Sequence, residues 1–187
     1  ATNGVTAKGK DGVPVLPLEV TVAELPFRSV GGSARYDTDT GLGVEDFWEH
    51  RNLFDNGEKL VVSAPVATQV QGIKAAFEKP AFLVREQRLL ASASALRENT
   101  EAYKSTAGSA SAALERRVSR LWWASIGAGG QSGSIKENDK SEQFYGYAGP
   151  KASVRRDSRN NILNPTRGSE IILKANPYSG FYGESFT

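Results

Sequence analysis

The stretch Val154-Arg155-Arg156-Asp157-Ser158-Arg159-Asn160-Asn161-Ile162-Leu163-Asn164-Pro165-Thr166-Arg167-Gly168 decides how the chain is read. It predicts a tight turn between two long alternating segments. Asn160-Asn161 and Asn164-Pro165 favour turns, because Asn tolerates left-handed backbone and Pro fixes φ. Gly168 releases the chain into the next strand. Before the turn, Arg155, Asp157 and Arg159 alternate, so they share one side of a strand, with Val154 and Ala152 on the other. A polar row backed by a small apolar row is the pattern of a barrel wall. An ordinary hairpin in a soluble β protein would also carry it.

The rest of the chain extends that pattern. Alternation predicts strands around Val30–Tyr36, Val44–His50, Leu60–Ala67, Ile73–Glu78, Leu89–Ala95, Ser109–Glu115, Trp122–Gly129, Phe144–Arg155 and Ile171–Asn176, with a further start within 178–186. Leu60, Val62, Ala64 and Val66 share one face, as do Ile73, Ala75 and Phe77, then Ala110, Ala112 and Leu114, and Ile171, Leu173 and Ala175. The segment Val44–His50 has no cleanly apolar face. Turns at 52–57, 80–85, 119–121 and 160–168 would share one rim. Longer polar loops at 38–43, 69–72, 100–105 and 133–142 would share the other. Bacterial barrels keep periplasmic turns short and outer loops long. Trp122 and Trp123, beside a short turn, are expected at a membrane boundary; the alternative is a core aromatic in a sandwich.

Composition sets bounds. Hydrophobic residues make up 39% of 187, below the soluble average. No apolar run approaches the ~18 residues of a membrane helix, which leaves barrel strands open because they are only half apolar. Cysteine is absent, so disulfides and thiolate metal sites are excluded. A net charge of +2 argues for no nucleic-acid partner. Ala and Ser crowd 91–95 and 105–113, where a sandwich core would need Val, Ile and Phe. Such residues suit a wall with lipid on one side and water on the other. Residues 1–12 read as a polar loop without the apolar core of a secretory signal, as in a mature or excised segment.

Three segments carry a family resemblance. Asp157-Ser158-Arg159 with Leu163-Asn164-Pro165-Thr166-Arg167-Gly168 resembles the turn of the BamA/TamA superfamily of outer-membrane assembly barrels, and the fit is closest to TamA-like members. Arg35 to Gly43 with Phe47 to Phe54 is similar to their first barrel hairpin. Leu114-Glu115-Arg116-Arg117-Val118-Ser119 is similar to a strand end of theirs. The resemblance implies an all-β, antiparallel, up-and-down transmembrane barrel. Residues 1–27, with a strand at Leu18–Val22, would be the last part of a periplasmic POTRA domain and its linker. Residues 28–187 would be a partial barrel of about nine strands, where the family has roughly sixteen. The loop bearing the family's arginine motif and the closing strand would lie in the other half; residues 184–187 do not look like a barrel-ending signal.

The resemblance further implies a factor, not an enzyme, that assembles outer-membrane proteins, including autotransporters, without a cofactor. The segment Ser29-Val30-Gly31-Gly32-Ser33-Ala34-Arg35-Tyr36 would form a lateral-gate edge to which client strands add. Gly31-Gly32 would keep it weakly paired. Arg155, Asp157, Arg159 and Lys174 would line the lumen, and Asn164, Pro165, Thr166, Arg167 and Gly168 would form its turn. A TamB-type periplasmic protein would dock near residues 1–27. A passive pore or two-partner secretion translocator on the same architecture, or a soluble ligand-binding β-barrel, are the alternatives.

No catalytic constellation competes. The single histidine, His50, supports neither a His-containing metal cluster nor a triad, and reads as a strand-end cap. Gly127-Ala128-Gly129-Gly130 lacks the Lys-Ser/Thr of a phosphate loop. Asp37, Asp39 and Glu45 lack EF-hand spacing.

Overall fold

The structure, a computed structural model, describes residues 7–8, 14–15, 26–38, 41–138 and 140–183. The described elements are all strands. A short pair, β1 (Ala7–Lys8) and β2 (Pro14–Val15), precedes one large sheet. That sheet holds β3 (Arg28–Asp37), β4 (Gly41–Arg51), β5 (Lys59–Ala67), β6 (Val70–Lys79), β7 (Gln87–Asn99), β8 (Tyr103–Arg117), β9 (Trp122–Glu137), β10 (Gln143–Asp157), β11 (Glu170–Ala175) and β12 (Ser179–Gly183). Every pairing is antiparallel between chain neighbours, in the order β11-β10-β9-β8-β7-β6-β5-β4-β3, and β12 also pairs with β10.

β11 and β12 are two parts of one line. Ala152 faces Ala175 and Ala148 faces Ser179, so Gly149 to Lys151 lie opposite residues 176–178 with no residue extra on either side. Pro150 and Pro177 both lack an N–H, so the ladder is interrupted there without a change of register. The further strand expected within 178–186 is therefore the second part of the ninth position.

The register sorts side chains into two faces, because cross-strand partners point the same way. One transverse row runs Val30, Trp48, Val62, Ala75, Ala93, Ala110, Gly130, Ala148 and Ser179. This apolar face also carries Leu60, Ile73, Phe77, Leu89, Ala112, Leu114, Ile126, Val154 and Leu173. The opposite face carries Glu45, Glu49, Lys74, Glu78, Arg88, Glu115, Arg155 and Lys174. The serine–alanine alternation of β7 and β8 follows directly. Ser92 and Ser111 join hydroxyls at 2.9 Å, as do Ser94 and Ser109, while Ala91 faces Ala112 and Ala93 faces Ala110 on the other side.

No packed interior backs the apolar face. Among the described residues the one buried hydrophobic side chain is Ala67, and Ile126 and Leu173 are each 67% exposed. A soluble β-barrel would turn these residues inward and cover them. Instead the wall is greasy on one side, polar on the other, and held by its ladders.

The rims correct one expectation. Turns at 52–58, 80–86, 118–121 and 158–169 do share one rim, but three of them, 52–58, 80–86 and 158–169, are longer than any connection on the other rim. At the other rim β5 and β6 are joined by residues 68–69, and β7 and β8 by 100–102. The polar residues expected in long loops there belong to strands: β4 begins at Gly41, β8 at Tyr103, and β9 runs to Glu137. A ladder needs only backbone, so polarity in 133–137 does not end it. The strand expected at Leu18–Val22, the loop residues Asp39 and Thr40, and residues 184–187 lie outside the described residues.

Candidate functional site

Two features of the sheet are candidates: its free edge and its polar face. β3 pairs with β4 on one side, from Arg28↔His50 to Asp37↔Gly41, and among the described residues it has no second neighbour. The edge sequence Ser29–Tyr36 thus presents unpaired backbone donors and acceptors, a template for another strand. Val30, Gly32, Ala34 and Tyr36 lie on the apolar face; Ser29, Gly31, Ser33 and Arg35 on the polar one. Val30 is 79% exposed and Tyr36 76%.

The two edge glycines make room for β4 side chains. A Cβ on Gly31 would stand 2.6 Å from the Phe47 ring. One on Gly32 would stand 2.5 Å from Asp46 Oδ1. The glycines are therefore covered, one on each face. A similar cover occurs at the far edge, where Phe181 lies over Gly146.

Charges on the polar face are matched into clusters. Glu49 pairs with Arg51 and, at 2.8 Å, with Lys59. Arg88 bridges Glu78 at 3.0 Å and Glu115 at 2.7 Å. Ser63 donates to Glu45 at 2.9 Å. Tyr145 and Tyr147 are tied to Gln131, whose amide donates to Tyr145 and accepts from Tyr147. Such a surface is wettable and carries little unpaired charge.

The 158–169 turn is built as its sequence demands. Asn160 accepts from the Thr166 and Arg167 amides at 3.1 Å, and its own amide donates to the Arg167 carbonyl at 3.1 Å. Asn161 accepts from the Leu163 and Asn164 amides. Gly168 has φ +92°, and a Cβ there would stand 2.1 Å from the Ser158 carbonyl oxygen. Arg159 grips Asp157 at 2.9 and 2.7 Å and reaches Glu170 at 3.2 Å. Arg155 lies 4.0 Å from Glu170. The structure thus brings Arg155, Asp157 and Arg159 together around Glu170, a partner the sequence did not single out. Its place, two residues after the Gly168 turn, was the available signal. Lys174 is on the same face, and Asn164, Pro165, Thr166 and Arg167 are exposed turn residues.

The tryptophan pair is split. Trp122 lies on the apolar face at the end of β9. Trp123 lies on the polar face between two guanidinium groups, Arg155 4.5 Å and Arg117 5.2 Å from the ring centroid. Successive strand residues face opposite ways, so both cannot meet lipid. His50 sits one residue from the end of β4, on the apolar face, 5.7 Å from the Trp48 ring.

The turn at 52–58 has an organiser the sequence reading missed. Glu58 is fully buried. Its carboxylate takes a 2.8 Å contact from Lys79 and accepts from the amides of Phe54 and Asn56. Lys79, then those amides, hold its carboxyl far below the usual range, at about 2. Asn56-Gly57, a strong hairpin dipeptide in sequence, here serves a longer loop closed by this carboxylate.

These features define a class: a piece of an up-and-down barrel wall, open at both edges among the described residues, with one face for hydrocarbon and one for water. The Omp85 superfamily domain matches residues 52–186, and the chain belongs to that superfamily. No curated protein matches it. The crystal structure of BamA from Haemophilus ducreyi lacking POTRA domains 1–3 matches with a TM-score of 0.66 at 14% identity. That match covers 85% of this chain and 37% of the BamA chain, so this chain spans little more than a third of the length of that truncated chain. At such identity the likeness concerns the fold, that of a BamA-like barrel fragment.

Proposed function

We propose that this chain forms part of a bacterial outer-membrane factor that assembles other outer-membrane β-barrel proteins, autotransporters among them. Client strands add to the edge of β3 where the wall opens toward lipid. No covalent bond is made or broken and no cofactor is needed, because main-chain hydrogen bonds provide the affinity. Membership of the Omp85 superfamily supports the assembly role. The observation that carries the mechanism is the single neighbour of β3.

In this reading residues 28–187 belong to the barrel, and residues 1–27 are the end of a periplasmic POTRA domain. The BamA neighbour is described as lacking POTRA domains 1–3, that is, as a protein to which such domains belong. Residues 1–27 join the sheet at Arg28, on the rim of the 52–58 turn, so that rim faces the periplasm. The orientation rests on this junction, since loop length favours the reverse. Arg155, Asp157, Arg159 and Lys174 hydrate and brace the lumen. The likeness of the motifs at Arg35–Phe54 and 157–168 to TamA-like members supports reading the protein as TamA-like, with a TamB-type partner near residues 1–27.

Photo-crosslinking in cells producing an autotransporter tests the mechanism. A crosslinker at Ser33, on the β3 edge, is expected to capture the nascent client. One at Ala110, in mid-sheet, is expected to capture none. Equal capture at both positions contradicts strand addition at this edge.

A further inference from the structure

The apolar face carries one carboxylate among the described strand residues, Asp46. The other full charges on that face are Arg or Lys near strand ends: Arg28, Lys79, Arg97, Lys104, Arg116, Lys136 and Arg156. Long basic side chains there can extend to the interface. Asp46 sits midway along β4 and is too short to do so. Among the described residues no cation or hydrogen-bond donor pairs with it. An unpaired charge at that depth is costly in hydrocarbon and marks a place where something polar is met.

The neighbouring residue explains where. Gly32 faces Asp46 across β3 and β4. Because Gly32 has no side chain, the carboxylate leans over it, Oδ1 lying 2.5 Å from the position a Cβ would take. The charge is thereby displaced toward the free edge. Beside it lies a hollow of about 500 Å³ lined by Val30, Asp46, Trp48, Val62 and Ala64 on this face. A strand added to β3 would lie about 4.8 Å beyond it. Its residue opposite Gly32 would point to the same face, within easy reach of Asp46 for a Lys or Arg. The aliphatic stem of that residue would lie along the hollow.

We propose that Asp46 over Gly32 is a charge-reading notch, which favours client strands that present a lysine or arginine on their lipid face opposite Gly32. The proposal rests on β3 being the docking edge.

Val30→Cys gives a unique thiol on that edge, because the chain has no cysteine. In detergent micelles the full chain is offered ten-residue peptides of alternating Val and Thr. Each carries one Cys opposite position 30, activated as a mixed disulfide with thionitrobenzoate that leaves on exchange with the protein thiol, and, two residues away, Lys, Gln or Glu opposite Gly32. The disulfide adduct yield is expected to be about fivefold higher for Lys than for Glu, the size of one modest ion pair. Asp46→Asn should level the three yields, and Asp46→Lys should invert the order. Gly32→Ala, which displaces the carboxylate, should weaken the preference. Adducts formed without charge preference overturn the notch and leave the docking edge intact. Adducts with none of the peptides overturn the docking edge itself. If Asp46→Asn instead raises all three yields equally, the carboxylate serves the protein's own closing strand, and the client proposal falls.

Discussion

Glu58 shows how one buried carboxylate can set a rim. It ties the 52–58 turn to Lys79 across the β5–β6 hairpin and occupies two amides that would otherwise face no partner. Its folded value lies below its ordinary 4.5, at about 2. A depressed carboxyl contributes in full above the ordinary value, and the contribution fades as pH falls toward the folded one. The turn should therefore keep its order from neutral pH to about pH 4.5 and lose it between there and about 2. The amide shifts of Phe54 and Asn56, followed by NMR, should titrate with a midpoint near 2; an ordinary midpoint contradicts the cradle. Glu58→Gln should abolish the titration. Gly168→Ala should destabilise the 158–169 turn by at least ~1 kcal/mol, since its φ is left-handed and its Cβ would strike Ser158. The readout is a lower temperature at which the folded protein loses its compact mobility in detergent gels. The Gly168 turn was legible from sequence, because Asn, Pro and Gly declare their backbone. Glu58 was not, because nothing in a lone Glu after Asn56-Gly57 says that the turn folds over it.

At the scale of strands, alternation did most of the work. Ile73, Ala75 and Phe77, or Ala110, Ala112 and Leu114, fall on one face by period alone, and the register bears this out. Even β4, whose Val44, Asp46, Trp48 and His50 look mixed, follows the same parity. What the pattern could not supply was where strands stop. Polar residues such as Ser134 and Lys136 continue β9 because nothing in a ladder requires apolarity outside the hydrocarbon. The alternation predicts different costs for the two faces. Ile126→Arg should destabilise the protein in lipid by ~2–4 kcal/mol near the midplane, whereas Ser125→Arg on the wet face should cost well under that. Equal costs, measured by denaturant unfolding in bilayers, would contradict the face assignment. Trp123→Ala should lose ~0.5–1 kcal/mol for each of its two guanidinium contacts. It should leave the transfer to lipid of the outer face unchanged, as Trp122→Ala should not.

For the molecule as a whole, the described residues enclose no interior. A sheet of this width in water would leave an apolar face far larger than soluble proteins expose, and two open edges besides. Hydrocarbon covers the face. The edges call for further strands, which fits a chain matching 37% of a BamA chain. The edge also carries the proposed function, so fold and activity share one cause: a wall that is not closed at β3. On this wall Ala112, Leu114, Ile126 and Leu173 face lipid while Ser109, Ser111 and Glu115 face water. Single-cysteine variants at those positions, unambiguous in a chain without native cysteine, can be challenged in bilayers with a lipid-soluble and a water-soluble thiol reagent. Lipid-phase labelling is expected at 112, 114, 126 and 173, and aqueous labelling at 109, 111 and 115. Aqueous labelling of the first group with protection of the second would contradict it.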